Sequence, residues 1–276
     1  MSTLKVMTFN IHGSYNWERR VPLNVAVIKR AAPDLIGFQE LQQENLIVYQ
    51  EQLSAYKYLL GPIAADDEPY KCNAIFWQPS RLTSIDSGSY WLSETPETPS
   101  YGWGAKTRRS AQWARFLSVD TGRELFHLNT HLDHIREQAR VEGISLILQR
   151  LAQLQSDTIP VILTGDFNSN PDTAAYRLLQ EGGFQDLYRL AGHRDREYSW
   201  TSNEADSAYS NTAHAYGWTK PSSSGAKGMG PVRIDWVLLR DSVGQLRPLT
   251  CEILRDAQPP LYPSDHYPVL ATLEQI

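Results

Sequence analysis

Polar residues of one chemical kind recur where apolar, strand-like runs give out: Asn10, Glu40, the run His131-Leu132-Asp133-His134, Asp166 with Asn168, and Asp265-His266. Acids at the end of a core lose several kcal/mol to desolvation unless they are paired or bound to a cation. Several of them at one end therefore invite a cation. Asn, Asp and Glu offer oxygen alone, which suits Mg2+ or Mn2+ and disfavours a zinc site built on Cys and His. The two cysteines, Cys72 and Cys251, supply neither a disulfide framework nor an all-cysteine zinc site.

The elements that must carry these residues are legible from apolar periodicity. Leu4 to Ile11 alternates as a strand, and His12 to Asn16 follows as a loop. A helix with Val21, Val25, Ile28 and Ala32 on its apolar face is closed by Pro33-Asp34. A second strand runs from Asp34 to Glu40, and a helix covers Glu44 to Leu53. Further strands are expected at Tyr56–Leu60, Ala74–Gln78, Arg81–Tyr90, Ala111–Val119, Glu124–Thr130, Pro160–Thr164, Val232–Leu239 and Val269–Leu273. Helical spacing of Ile135, Ala139, Ile144, Ile147, Leu148, Leu151 and Leu154 predicts a long helix from Ile135 to Leu154. A shorter one, Thr173 to Gln180, ends at Gly182-Gly183. Many strands, few helices and no strict alternation suggest two packed sheets with helices outside. No domain-sized linker interrupts the chain, so residues 1–276 read as a single domain. The irregular stretch Ser202–Pro231 has the length of a substrate lid or of a merely mobile loop.

Six motifs in order give the chain a resemblance to the metal-dependent endonuclease/exonuclease/phosphatase superfamily. They are Thr8-Phe9-Asn10-Ile11, Gln39-Glu40, Thr130-His131-Leu132-Asp133, Gly165-Asp166-Phe167-Asn168, Arg233-Ile234-Asp235-Trp236 and Ser264-Asp265-His266-Tyr267-Pro268. Each alone is weak; Asp166 and Asn168, for instance, also read as a capped turn before Pro171. The resemblance implies an α+β fold, a four-layer αββα sandwich of two packed mixed sheets flanked by helices. It implies Mg2+, or Mn2+, held by Glu40 with Asn10 beside it and Asp265 opposite. Asp166 would orient or deprotonate the attacking water, and Asn168 would hold that water or a phosphate oxygen. His266 would bind the scissile phosphate, with Asp235 on its other nitrogen, and His131 would contact phosphate or protonate the leaving oxygen. Attack of water on a phosphate ester needs these types together: an activated nucleophile, neutralised charge and a stabilised leaving oxygen.

The substrate is expected to be a phosphate ester, with single-stranded nucleic acid or a nucleotide-like diester first and a sugar, inositol or dinucleotide monoester as the alternative. A catalytically silent binding module is the alternative of another class. The block Trp91-Leu92-Ser93-Glu94-Thr95-Pro96 resembles a bacterial branch of the superfamily. The stretch around His214 resembles a histidine-containing loop of that branch, as a substrate contact or a solvated loop histidine, and Arg109 stands where deoxyribonuclease-type members keep a phosphate-contacting arginine. Tyr90, Trp91, Trp103 and Trp113 can stack on a base, while strand-embedded Trp91 and Trp113 suit the core better. His12, His127 and His193 read as structural, and His134 as the start of the following helix. One departure stands out: Leu41-Gln42 follow Glu40 where many nucleic-acid-cutting relatives carry a basic residue, which removes an expected phosphate contact.

Composition narrows the class. Of the 276 residues, 41% are hydrophobic and 21% charged, which excludes disordered and collagen-like chains. A net charge of -5 leaves no global positive field for a polyanion, although a transient cutter needs only local basic groups. No Walker-type phosphate loop is present, no membrane engagement is expected, and no protein partner is implied. Met1-Ser2-Thr3 runs into an apolar segment without signal-peptide architecture, so the cytoplasm is the expected compartment.

Overall fold

The computed structural model describes residues 2–67, 70–154, 158–195, 197–200, 233–259 and 261–276. The elements are β1 (Ser2–Asn10), α1 (Trp17–Ala31), β2 (Leu35–Leu41), α2 (Gln43–Gln52), β3 (Lys57–Leu60), β4 (Cys72–Trp77), β5 (Leu82–Trp91), β6 (Ser110–Ser118) and β7 (Glu124–His131). They continue with α3 (Glu137–Gln153), β8 (Val161–Asp166), α4 (Ala174–Glu181), β9 (Gln185–Asp186), α5 (Leu187–Leu190), β10 (Asp235–Arg240), β11 (Leu246–Ile253) and β12 (Val269–Gln275). One sheet runs β11-β12-β1-β2-β4-β3 and the other β5-β6-β7-β8-β10-β9. The four-layer arrangement expected from the sequence is what forms. Leu4, Val6, Leu35 and Ile75 of the first sheet meet Phe116, Leu125, Ile162 and Val237 of the second in a shared core. Val25 and Ile28 of α1 and Tyr49 of α2 cover the first sheet outside, and Ile144 and Ile147 of α3 with Tyr176 of α4 cover the second. His214 and the Ser202–Pro231 stretch lie outside the described residues.

Each sheet is built on one parallel pair, β1 with β2 and β7 with β8, and the other pairings are antiparallel. A parallel pair needs a crossover, which α1 supplies in the first case and α3 in the second. The four parallel strands end at one rim of the sandwich. Their antiparallel neighbours β4, β6, β10 and β12 must therefore begin there.

Two boundaries differ from expectation for local reasons. The long helix starts at Glu137, because Asp133 Oδ1 accepts from the amides of Ile135 and Arg136 and folds those residues into a turn. An eight-residue strand, β11, was not expected at all; Pro248 and exposed Arg247, Leu249 and Thr250 hide its alternation, and a sheet edge tolerates the proline. Trp91 is buried, and half-buried Trp113 stacks on Phe126 with ring centroids 5.1 Å apart, so both serve the core.

The layer between the sheets changes character toward the rim. Past the aliphatic residues come Thr8, Gln39, Asn129 and Thr164, all buried. Asn129 Oδ1 accepts from Gln39 Nε2 at 2.7 Å and Thr164 Oγ1 at 3.1 Å, while its amide donates to the carbonyls of Phe38 and Ala74. This is a hydrogen-bonded weld across the sandwich. Gly37 permits it, since a Cβ there would lie 2.3 Å from Thr164 Oγ1 and 2.5 Å from Asn129 Oδ1.

Gly37→Ala is therefore expected to destabilise the protein by about 1–3 kcal/mol, by overpacking, in urea unfolding. A second prediction concerns His127, whose buried ring bonds Thr164 Oγ1 at 2.8 Å and whose pKa burial pushes down to about 3. The folded state keeps the ring neutral while the unfolded chain protonates it near pH 6.5. Its contribution is thus present above about pH 6.5 and lost as pH falls toward about 3, on the order of 5 kcal/mol at most. His127→Gln should flatten the acid limb of a stability-versus-pH curve.

Candidate active site

The topology brings most of the expected residues to one rim. Asn10 ends β1, His131 ends β7 and Asp166 ends β8, while Asp235 begins β10. Asp166 pairs in register with His131 on one side and Asp235 on the other. Asp265 and His266 lie on the approach to β12, and Arg109 directly precedes β6. Glu40 needs a special device. The β2–β4 register shifts between Phe38 and Leu41, and Glu40 takes a left-handed φ of 60°, uncommon for a residue with a side chain. That bulge turns the carboxylate out of the strand alternation. His12 and Asn168 are also left-handed, so three strained loop ends meet at the site.

Asp166, at 1% exposure, is the hub. Its Oδ2 accepts from Asn10 Nδ2 at 2.9 Å and lies 3.3 Å from His131 Nε2 and 3.7 Å from His266 Nε2; its Oδ1 accepts from the Asn168 amide at 2.9 Å. Burial and the nearby Asp235 push the Asp166 pKa up, against the opposing pull of His266 and Asn10. His266 Nδ1 bonds Asp235 Oδ2 at 2.8 Å. Burial works against charge on this ring, but Asp235, Asp265 and Asp166 outweigh it and hold its pKa well above the ordinary value. His131 goes the other way, because burial and Arg109 drive its pKa well down despite Glu40. One imidazole is held charged and its neighbour neutral, around a single carboxyl.

Glu40 is the more accessible carboxylate, its side chain 20% exposed. Burial opposes its charge, yet Lys71, His131 and His12 keep its pKa well below the usual range. Lys71 Nζ forms an ion pair with Glu40 Oε2. Asn10 Nδ2 reaches Glu40 Oε1 at 3.5 Å, and Asn10 Oδ1 accepts from the His12 amide, so Asn10 bridges Glu40 to Asp166. Asp265 stands 3.4 Å from His12 Nδ1.

Asp166, Asp235 and His266 have ligand atoms within 4.8 Å of one another, a spacing that would admit a metal ion. A protonated imidazole has no lone pair to give, however, and these groups already bond one another. The solvent-reaching carboxylates of Glu40 and Asp265 fit a hard divalent cation better. Asn168 Nδ2 donates to Leu132 O at 3.0 Å, which braces the loop beside Asp166.

Four contributors escaped sequence reading. His12 and Lys71 surround the Glu40 and Asp265 carboxylates, and His134 Nδ1 lies 3.1 Å from the Arg109 guanidinium instead of starting a helix. Buried Arg20 donates to the carbonyls of Ile11, His12, Gly13, Tyr15 and Pro263, tying together the loops that carry His12 and Asp265. A basic group does stand beside Glu40, but it is Lys71, from elsewhere in the chain. Leu41 pairs with Cys72, so Lys71, the residue just before β4, stands at the same level.

Comparison with known proteins agrees with this geometry. The profile described as "Endonuclease/Exonuclease/phosphatase family" matches residues 7–266. A mannosyl-6-phosphatase from Bacteroides thetaiotaomicron is similar over 98% of this chain and 99% of its own, at 25% identity and a TM-score of 0.81. D. rerio TDP2, in complex with a single-strand DNA product, shares the fold at 18% identity and a TM-score of 0.74 over the full length of both chains. An uncharacterized protein of Acanthamoeba polyphaga mimivirus is 26% identical over 208 residues, 70% of this chain and 77% of its own.

Glu40→Gln should weaken Mn2+ binding at least about tenfold by titration calorimetry. Lys71→Met, which removes a competing ammonium from the same carboxylate, should tighten it. Equal affinities in parent and both variants would place the cation elsewhere.

Proposed function

Because the chain belongs to the endonuclease/exonuclease/phosphatase family, a family of phosphoester hydrolases, we propose that its rim site hydrolyses phosphate esters by direct attack of water. One observation carries the reading: Asp166, buried and bonded to Asn10, lies within 3.7 Å of the ring nitrogens of both His131 and His266. A carboxyl with a raised pKa serves as a base near neutrality, the range in which general-base transfer is efficient. Asp166 takes the proton of the attacking water, and the Asn168 amide and Asn10 hold the carboxyl in line.

The His266 imidazolium, charged because Asp235 faces its Nδ1, stabilises negative charge as it grows on the phosphoryl oxygens. Arg109 contacts phosphate from the side of His131, and Lys71 supplies positive charge beside Glu40. His131, kept neutral, meets the leaving oxygen. Glu40 and Asp265, with Asn10 between Glu40 and Asp166, would hold Mg2+ or Mn2+. Such an ion supplies Lewis-acid neutralisation of the phosphate.

For the substrate we favour a terminal phosphate on a small organic body, such as a sugar phosphate. The full-length similarity to a mannosyl-6-phosphatase supports this, as does the gathering of Lys71, Arg109 and the His266 imidazolium for a group carrying about two negative charges. A nucleotide-like diester or single-stranded nucleic acid is the second reading, supported by the fold shared with TDP2. Cytoplasmic action is part of the same proposal; among the described residues no helix is long and apolar enough to cross a membrane.

A panel of sugar phosphates, p-nitrophenyl phosphate, bis-p-nitrophenyl phosphate, single-stranded DNA and single-stranded RNA, run with Mg2+, Mn2+ and EDTA, tests the proposal. Metal-dependent turnover is expected, highest on monoesters. Asp166→Asn and His266→Ala should each lower kcat at least about 10²-fold with the circular-dichroism spectrum retained. No turnover of any member would leave a binding module, and diester preference would give the second reading.

A further inference from the structure

Of the motif Arg233-Ile234-Asp235-Trp236, the chemistry above uses only Asp235. Arg233 is nevertheless among the largest fully buried side chains, at 1% exposure. A guanidinium stripped of water must be matched group for group, and here it is. Its Nε and an Nη donate to Asp195 Oδ1 at 2.8 and 2.6 Å, and the same fork bonds both oxygens of Asp186. Its plane lies over the Tyr188 ring, 4.8 Å from the centroid. Asp186 is itself fixed, accepting from Tyr176 Oη and the Tyr188 amide, each at 3.0 Å. Trp236 Nε1 donates back to the Arg233 carbonyl at 2.8 Å, so main chain and side chain are both held.

What this clamp grips is informative. Asp195 belongs to neither sheet, and Ser199 and Trp200 beyond it lie against the His266 loop. Four residues later, Ser199 Oγ accepts from the amides of Ile234 and Asp235 at 3.0 and 3.1 Å. The Ser199 carbonyl accepts from the Tyr267 amide at 2.6 Å, and Trp200 forms an isolated β-bridge with His266. One side of Ser199 thus holds the backbone of Asp235, the other the backbone next to His266. The two partners of the 2.8 Å hydrogen bond come from different parts of the chain, and this short segment spans them.

We infer that Arg233 is a positioning residue: by clamping Asp195 to Asp186 it seats Ser199 and Trp200, and through them sets the separation of Asp235 and His266. A bidentate fork suits this task because it fixes direction as well as distance, which a lysine ammonium does not. Arg233 touches neither Asp166 nor His131 and takes no part in bond making. Its influence on rate rests on the functional reading above; its influence on local order does not.

The test uses the full chain with Asp195→Asn, whose carboxylate is one-quarter exposed, and Ser199→Ala, a minimal change. Hydrogen–deuterium exchange is followed by mass spectrometry in peptides covering residues 263–268, with peptides from β1 and α3 as controls. Both variants should speed exchange at 263–268 at least about tenfold without changing the controls. kcat on the best ester should fall about tenfold with KM within about twofold, because substrate binding is untouched while charge stabilisation loosens. Parent-like exchange at 263–268 overturns the clamp whatever the kinetics, and so does acceleration shared by the controls, which marks general loosening. Faster local exchange with parent-like kcat and KM overturns its reach to the site. A parent that turns over no ester defeats the functional reading instead, and the exchange experiment still decides the clamp.

Discussion

The Asp166 carboxyl sits at 1% exposure at the end of the inter-sheet layer, and in that setting its ionised form survives only against donors and positive charge. Everything around it answers that demand. Asn10 and the Asn168 amide donate to it, and His131 and His266 approach from two sides. Asp235 adds a second buried negative charge, which His266 must share. Two carboxyls and one charged ring in a dry corner make a tightly coupled set, so proton position is set by the whole group rather than by any member. The same crowding explains the divergence of the two histidines. His266 has three acids near it and is held charged, whereas His131 has Arg109 and the His266 imidazolium nearby and is held neutral.

Such a cluster forms only where secondary structure can deliver side chains from six or more places in the chain. Two parallel pairs meeting at one rim do this with little irregular structure. Strands β1, β2, β7 and β8 end there, and β4, β6, β10 and β12 start from there. The polar layer of Thr8, Gln39, Asn129 and Thr164 beneath keeps the two halves in fixed relation, since Asn129 of one sheet bonds Gln39 and two carbonyls of the other. Charge is thereby stepped down in stages, from ionised groups at the rim, through neutral hydrogen bonds, to aliphatic packing.

The sequence carries the parts of this design that have a period or a local motif. Apolar alternation marks β1, short apolar runs mark β2, β4 and β7, and helical spacing marks the buried face of α3. Residues at strand ends, Asn10, His131 and Asp166, were legible because a polar residue closing an apolar run is visible in one dimension, while Asp235 was marked only by the motif it shares with the family. What was not legible depends on pairing between distant segments. Lys71 lies at the end of an unremarkable loop, and only the β2–β4 register brings its ammonium to Glu40. Arg20 looks like an ordinary charge on a surface helix, yet its five backbone acceptors come from two loops more than 200 residues apart. β11 was hidden because an edge strand has only one neighbour and can carry proline and exposed apolar residues without penalty.

The treatment of charge at Glu40 follows the same logic. A cation is needed beside an ionised carboxylate that is four-fifths buried, but the chemistry does not specify which strand must carry it. Here Leu41-Gln42 follow the acid along the strand, and the ammonium arrives across the ladder, next to the Leu41–Cys72 pair. An ammonium on a four-carbon stem can reorient without disturbing the sheet, where a group fixed on a strand cannot. Arg109 has less freedom, since it is half-buried, bonded to His134 and placed just before β6. The rim therefore combines one positive side chain on a long flexible stem with one that is half-buried and hydrogen-bonded, both beside the carboxyl–imidazole cluster.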